Sequence, residues 1–76
     1  MKEVLEIIAK ALVDNPDMVN ITEVTNDDNS VTLELRVAEN DMGKVIGKQG
    51  RIAKAVRTVV KAAASRENKK VSVDIV

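Results

Sequence analysis

Lys48 and Gln49 stand side by side between two glycines, Gly47 and Gly50. The chemistry this pattern suits is anion binding. Glycines let a backbone turn sharply and approach closely, because no Cβ intervenes. The lysine supplies a cation and the glutamine a hydrogen-bonding amide. A helix is expected to start at Arg51, which points its free N–H groups and the positive end of its dipole toward the same spot. Known phosphate loops fit poorly. A P-loop needs four residues between its first glycine and the Gly-Lys pair, then Ser or Thr. Here only three residues separate Gly43 from Gly47, and Gln49 stands where the hydroxyl should be. The dinucleotide fingerprint Gly-x-Gly-x-x-Gly follows a strand, whereas this spacing is Gly-x-x-x-Gly-x-x-Gly after a predicted helix.

Charge supports a polyanion as the ligand. The net charge is zero, but residues 1–41 carry three basic and ten acidic side chains, and residues 42–76 nine basic and two acidic. Six cations and no anion lie from Lys44 to Lys61. A basic half in a small domain is an electrostatic footprint for nucleic acid. Phe, Tyr and Trp are absent, so bases cannot be stacked on aromatic rings. Histidine and cysteine are absent too, which removes thiolate and imidazole metal sites, disulfides and the commonest general base. The carboxylates show no paired arrangement. An enzyme is the weakest reading, and no metal or cofactor is expected.

The elements around the loop read as follows. Residues 2–14 predict an amphipathic helix, with Val4, Leu5, Ile8, Ala11 and Leu12 at helical spacing and Asn15-Pro16-Asp17 ending it. Residues 19–25 predict a strand in which Val24 falls out of phase, a hint of a bulge or an early end. After the turn cluster 26–30, Val31 to Val37 alternates cleanly, and an antiparallel hairpin results. Glu39-Asn40-Asp41 opens a short helix with acid in its first turn. Gly43 falls within it at a cost of about 1 kcal/mol relative to alanine, so a neighbouring element or a ligand should pass close to that backbone. Residues 51–66 predict a second helix. One arc holds Arg51, Lys54, Arg57, Thr58, Lys61 and Ser65. The opposite arc holds Ile52, Val56, Val59, Val60 and Ala63, with Ala55 and Ala62 at its margin. Residues 71–76 form the last strand. A helical crossover joins strands 31–37 and 71–76, so they should pair parallel. This is an α+β chain of order α-β-β-α-α-β, one domain over 1–76, its three-stranded mixed sheet covered on one face by three helices. The other face, with Thr32, Glu34, Arg36, Ser72 and Asp74, should meet water. No stretch has the roughly 20 apolar residues of a spanning helix, and the N-terminus does not read as a secretory leader. The expectation is an intracellular, cytoplasmic protein with no membrane contact.

The loop between two helices of a strand–helix–loop–helix–strand unit (31–76), with Val45-Ile46 before it and Arg51 after it, resembles the KH domain. In that fold a Gly-x-x-Gly loop clamps about four nucleotides of backbone. The extra helix and strand come first, as in type II, the bacterial arrangement. The run from Val37 to Arg57 is very similar to the signature of small bacterial single-KH proteins of the KhpA type. Glu39 replaces a proline common there. The resemblance implies a cleft walled by the short helix, the 47–50 loop, the next helix and the last strand. Loop 66–70 would close it, with Lys69 and Lys70 facing Lys48 across the gap. Gly47, Lys48, Gln49, Gly50 and Arg51 would meet phosphate through amides and side chains. Arg51, Lys54 and Arg57 would extend the positive field, with a solvated helix face as the equal alternative for Lys54, Arg57 and Lys61; Lys44 would join the RNA-binding set, and Val45, Ile46 and Val73 would form an apolar floor under the bases. The implied function is single-stranded RNA binding of low sequence specificity, with RNA-chaperone-like or post-transcriptional work. Implied partners are a second copy, as a homodimer, or a KH protein of the KhpB/Jag type, as a heterodimer; links to cell shape and cell-wall biogenesis follow from the resemblance. The alternative is a protein-interaction module that keeps the fold without using the cleft.

Overall fold

The computed structural model describes residues 1–76. Its order is α1 (Lys2–Leu12), β1 (Asn20–Thr25), β2 (Val31–Arg36), α2 (Met42–Ile46), α3 (Arg51–Arg66) and β3 (Val71–Ile75). Short 3-10 turns precede β1 (Pro16–Met18), α2 (Glu39–Asp41) and α3 (Lys48–Gly50). The sheet order is β1-β2-β3, antiparallel then parallel, which matches the expected topology.

The clean alternation of β2 sends Leu33 and Leu35 into the core, opposite Val73 and Ile75 of β3 and, for Leu35, Ile21 of β1. Burying each such side chain contributes about 1.5–3 kcal/mol. Thr32 and Glu34 lie on the other face with Ser72 and Asp74, and the Thr32 and Ser72 hydroxyls meet at 3.2 Å. Val24 needs no bulge. The β1–β2 register runs unbroken from Asn20–Arg36 to Thr25–Val31 and pairs Val24 with Thr32 on that open face. α1 ends at Leu12, two residues before the expected stop, and Val13 is extended.

The buried stripe of α3 differs from the expected one. It is Ala53, Val56, Val60 and Ala64, while Ile52 is half-buried and Val59 is 49% exposed. Apolar residues cover more than half of this helix's circumference, so hydropathy alone favoured the larger valine. The helix instead turns small alanines inward, which lets it lie close to β3. No helix of the structure is long and apolar enough to cross a membrane.

Candidate nucleic-acid interface

The turn 47–50 stands at the start of α3, beyond the ends of β2 and β3. Gly47 has φ 75° and ψ 175°, Gln49 φ 59° and Gly50 φ 74°. Three residues with positive φ in four reverse the chain within one short segment. The turn is seated by Ile52, whose side chain leaves no room for a Cβ on Gly47: an added Cβ would lie 2.5 Å from Ile52 Cγ1. Lys48 and Gln49 are exposed. Arg51 Nη2 donates to Gln49 Oε1 at 3.4 Å, a long contact that leaves both side chains free to reorient.

Three of the amides expected to face phosphate are used within the chain. Gly47 N–H donates to Gly43 O (2.8 Å), Gly50 N–H to Gly47 O (3.2 Å), and Arg51 N–H to Lys48 O. That concentrates the turn's donor capacity on Lys48 and Gln49.

Arg57 orients α3. Its Nε donates to the Val73 carbonyl at 3.0 Å. β3 is an edge strand, so this contact covers a carbonyl that faces away from β2. It also sets the flank with Lys54, Arg57 and Lys61 beside the open edge of the sheet. The opposite flank, Ile52, Ala55 and Val59, faces Ile8 and Leu12 of α1 across an apolar hollow of about 450 Å³. The cationic arc expected of α3 is thus beside β3, on the side where the resemblance puts the cleft.

Several expected site residues lie elsewhere. Val45 is 1% exposed and Val73 is buried; both belong to the core, so neither forms a floor open to bases. Ile46 is half-buried and only packs against that core. Lys69 and Lys70 do not face Lys48 across a gap. They lie at the far end of α3, whose 16 residues span about 24 Å, and Lys70 O accepts from the Val31 amide at the start of β2. With Lys61 they surround a hollow of about 430 Å³ that also takes in Asp28, Ser30 and Ser72. The Ser30 hydroxyl and amide, both bonded to Asp28, hold that carboxyl below the usual range, with Lys70 adding to the effect. Lys44 is hydrogen-bonded to Asp14 and lies 3.9 Å from Asp41 Oδ1. That bond to Asp14 is the main reason its ammonium is held above the ordinary lysine range, although burial opposes it. No surface hollow is lined by Lys48 or Gln49, so a ligand there lies on open surface.

Of the two explanations expected for Gly43, the neighbouring element is ruled out, since nothing lies within 4 Å of the place where a Cβ would stand. One feature escaped the sequence. Asp41 is 1% exposed and accepts from the Asp14 amide (3.2 Å), the Asn15 amide (2.9 Å) and Asn15 Nδ2 (3.1 Å). Burial alone would raise its pKa, but these donors and Lys44 outweigh that effect and hold the carboxyl below the usual range.

The pattern of the family described as "KhpA/KhpB, KH domain" matches residues 2–75. "RNA-binding protein KhpA" of Clostridium perfringens is 66% identical over 76 residues, covering all of both chains. The protein of the same name from Caldanaerobacter subterraneus is 59% identical, again over all of both. That of Chlamydia trachomatis is 51% identical, over 99% of this chain and 95% of its own. These are names of a binding protein and not of an enzyme. Among solved structures, an Aquifex aeolicus Era bound to GDP and aluminium fluoride superposes with TM-score 0.62 at 19% identity. An Era complex containing a segment of 16S ribosomal RNA superposes with TM-score 0.59 at 20% identity. Both cover 97% of this chain but only 28% of Era, so they speak to the fold alone. On the match across nearly its whole length and these full-length relatives, the chain belongs to the KhpA/KhpB family of KH-domain proteins.

Proposed function

We propose that this protein is a cytoplasmic RNA-binding protein that holds a short single strand at the Gly47–Gly50 turn with little sequence preference. The observation that carries the reading is the exposed Lys48-Gln49 pair, set between two positive-φ glycines at the start of a 16-residue helix whose flank beside β3 is cationic. The relatives' name supports RNA as the polyanion. Lys48, Gln49 and their amides take the phosphates, and Arg51 and Lys54 extend the positive field along the strand's path. Lys61, Lys69 and Lys70 meet a strand long enough to run the length of α3. The lack of aromatic rings removes the stacking that gives many single-strand binders about 1–3 kcal/mol per base. Affinity per site is therefore low.

Gly43 fits this reading. A glycine in α2 with open space above it serves a ligand that passes close to the helix. Gly43→Ala is expected to stabilise the fold by about 0.5–1 kcal/mol, and to weaken RNA binding. Urea denaturation and fluorescence anisotropy on the same preparation check the two opposite signs.

A weak site gains from pairing, because linked sites raise effective concentration. The apolar hollow between α1 and α3 favours a partner that covers it: a second copy, or a KH protein of the KhpB/Jag type. It also supports the alternative of an interaction module. RNA-chaperone-like or post-transcriptional work, with links to cell shape and cell-wall biogenesis, rests on the family resemblance. The deciding experiment is a salt titration of the isolated chain on a short unstructured RNA, with and without its KH partner. Log affinity should fall against log salt with a slope of about −0.7 per phosphate met. Absence of binding in both arms overturns the RNA reading.

A further inference from the structure

We propose that Asp41 is a positioning residue for the Gly47–Gly50 turn: with Asp14, Asn15 and Lys44 it clasps the end of α1 to the start of α2 and thereby fixes where the turn stands.

α2 has five residues, far below the roughly 12 that an isolated helix needs for even marginal stability. Its hold on the molecule must be tertiary. Inward, it offers one fully buried side chain, Val45. At its start, Asp41 binds both amides of the chain reversal at Asp14 and Asn15, and also the Asn15 side chain. Asn15 Nδ2 reaches Asn40 Oδ1 as well, at 3.4 Å. Lys44, one turn along α2, closes the clasp onto Asp14 and lies near Asp41. No buried side-chain nitrogen or oxygen in the molecule lacks a partner, so the network is complete as it stands. A partly satisfied network of this kind would be costly, and a complete one holds a single arrangement.

The consequence reaches the site because the lever is short. Gly47 follows Asp41 by one helix of five residues, about 7.5 Å. A tilt at Asp41 is passed to the turn almost undiminished. The clasp also assigns Lys44 a different task from phosphate contact: its ammonium is hydrogen-bonded to Asp14, just past the end of α1, and lies near Asp41.

This inference rests on the RNA reading for its binding readout, so it is tested in two ways that fail separately. The protein carrying Asp41→Asn keeps the shape but loses the charge and one acceptor. Measured well below its unfolding midpoint, it should bind a short unstructured RNA about tenfold more weakly. Its salt slope should be unchanged, because no phosphate contact is lost. In the RNA-free protein the backbone amide resonances of Lys48 and Gln49 should shift, while those of Leu33 and Leu35 stay. Lys44→Met serves if the first variant does not fold. It should weaken binding less and keep the full slope. A slope reduced by about 0.7 in Lys44→Met would show Lys44 on phosphate and overturn the assignment. Unmoved loop resonances in the folded variants would overturn it as well, and so would unchanged RNA affinity where the wild type binds. If the wild type itself binds no RNA, the functional reading falls, and the resonances still decide the positioning role.

Discussion

The double substitution Lys48→Asp with Gln49→Asp is expected to abolish measurable RNA binding and to leave the fold intact. It changes the tip of the turn from one positive charge to two negative ones. A charge pair about 4 Å apart is worth about 1 kcal/mol in bulk water and about 4 kcal/mol near a protein surface. Replacing attraction by repulsion at two adjacent positions therefore weakens binding by on the order of a hundredfold or more. The fold has little to lose. Both side chains are exposed, and the one hydrogen bond either of them makes is the long Arg51–Gln49 one. Gln49 already occupies left-handed backbone at φ 59°, a conformation that aspartate tolerates well. Anisotropy titration on a short unstructured RNA reads the loss, and an unchanged thermal midpoint certifies the fold. A folded double variant that binds as the wild type does would remove the turn from the interface.

The elements that bear the turn were legible because their patterns are one-sided. β2 alternates without error, and α3 has its bounds set by Gly50 before it and the polar 67–70 loop after it. Most of the misses share a cause: they depend on partners distant in the sequence. Asp41 reads as an ordinary acidic residue in a helix's first turn, since its real partners, Asp14 and Asn15, are 27 and 26 residues away. Lys44 reads as one of a run of cations until Asp14 is seen beside it. Val45 and Ile46 are adjacent apolar residues, and only the packing of α2 against α3 and α1 decides that Val45 turns fully inward and Ile46 only partly. For α3, hydropathy weighs Val59 above Ala53 and Ala64, yet close helix–sheet packing selects the smaller side chains. The place of Lys69 and Lys70 was legible: the helix expected over 51–66 has the 16 residues observed and carries them away from the turn, whereas the family resemblance put them opposite it.

Gly47 and Gly50 look equivalent in the sequence, and their replacements are expected to behave very differently. Gly47 has φ 75° and ψ 175°, a region essentially restricted to glycine, and forcing another residue there costs about 1–3 kcal/mol. An alanine Cβ would also stand 2.5 Å from Ile52 Cγ1 and 2.9 Å from Ile52 Cβ. Ile52 Cβ is fixed to its own backbone, so a change of rotamer gives no relief, and α3 or the turn must move. Overpacking of this kind adds about 1–3 kcal/mol. Gly50 has φ 74° and ψ 14°, ordinary left-handed backbone, with nothing within 4 Å of an added Cβ. Alanine there costs only the left-handed penalty, about 1–2 kcal/mol. In a domain of this size about 1 kcal/mol moves the thermal midpoint by about 4–8 °C. Gly47→Ala should therefore lower the midpoint by on the order of 15 °C or more, and Gly50→Ala by about 4–16 °C and by less than Gly47→Ala. Ile52→Ala, which removes the obstructing atoms beyond Cβ, should partly restore the Gly47→Ala protein, so that the two losses add to less than their sum. Equal losses from the two glycine replacements, measured by thermal unfolding followed in the far ultraviolet, would show that Ile52 does not seat the turn.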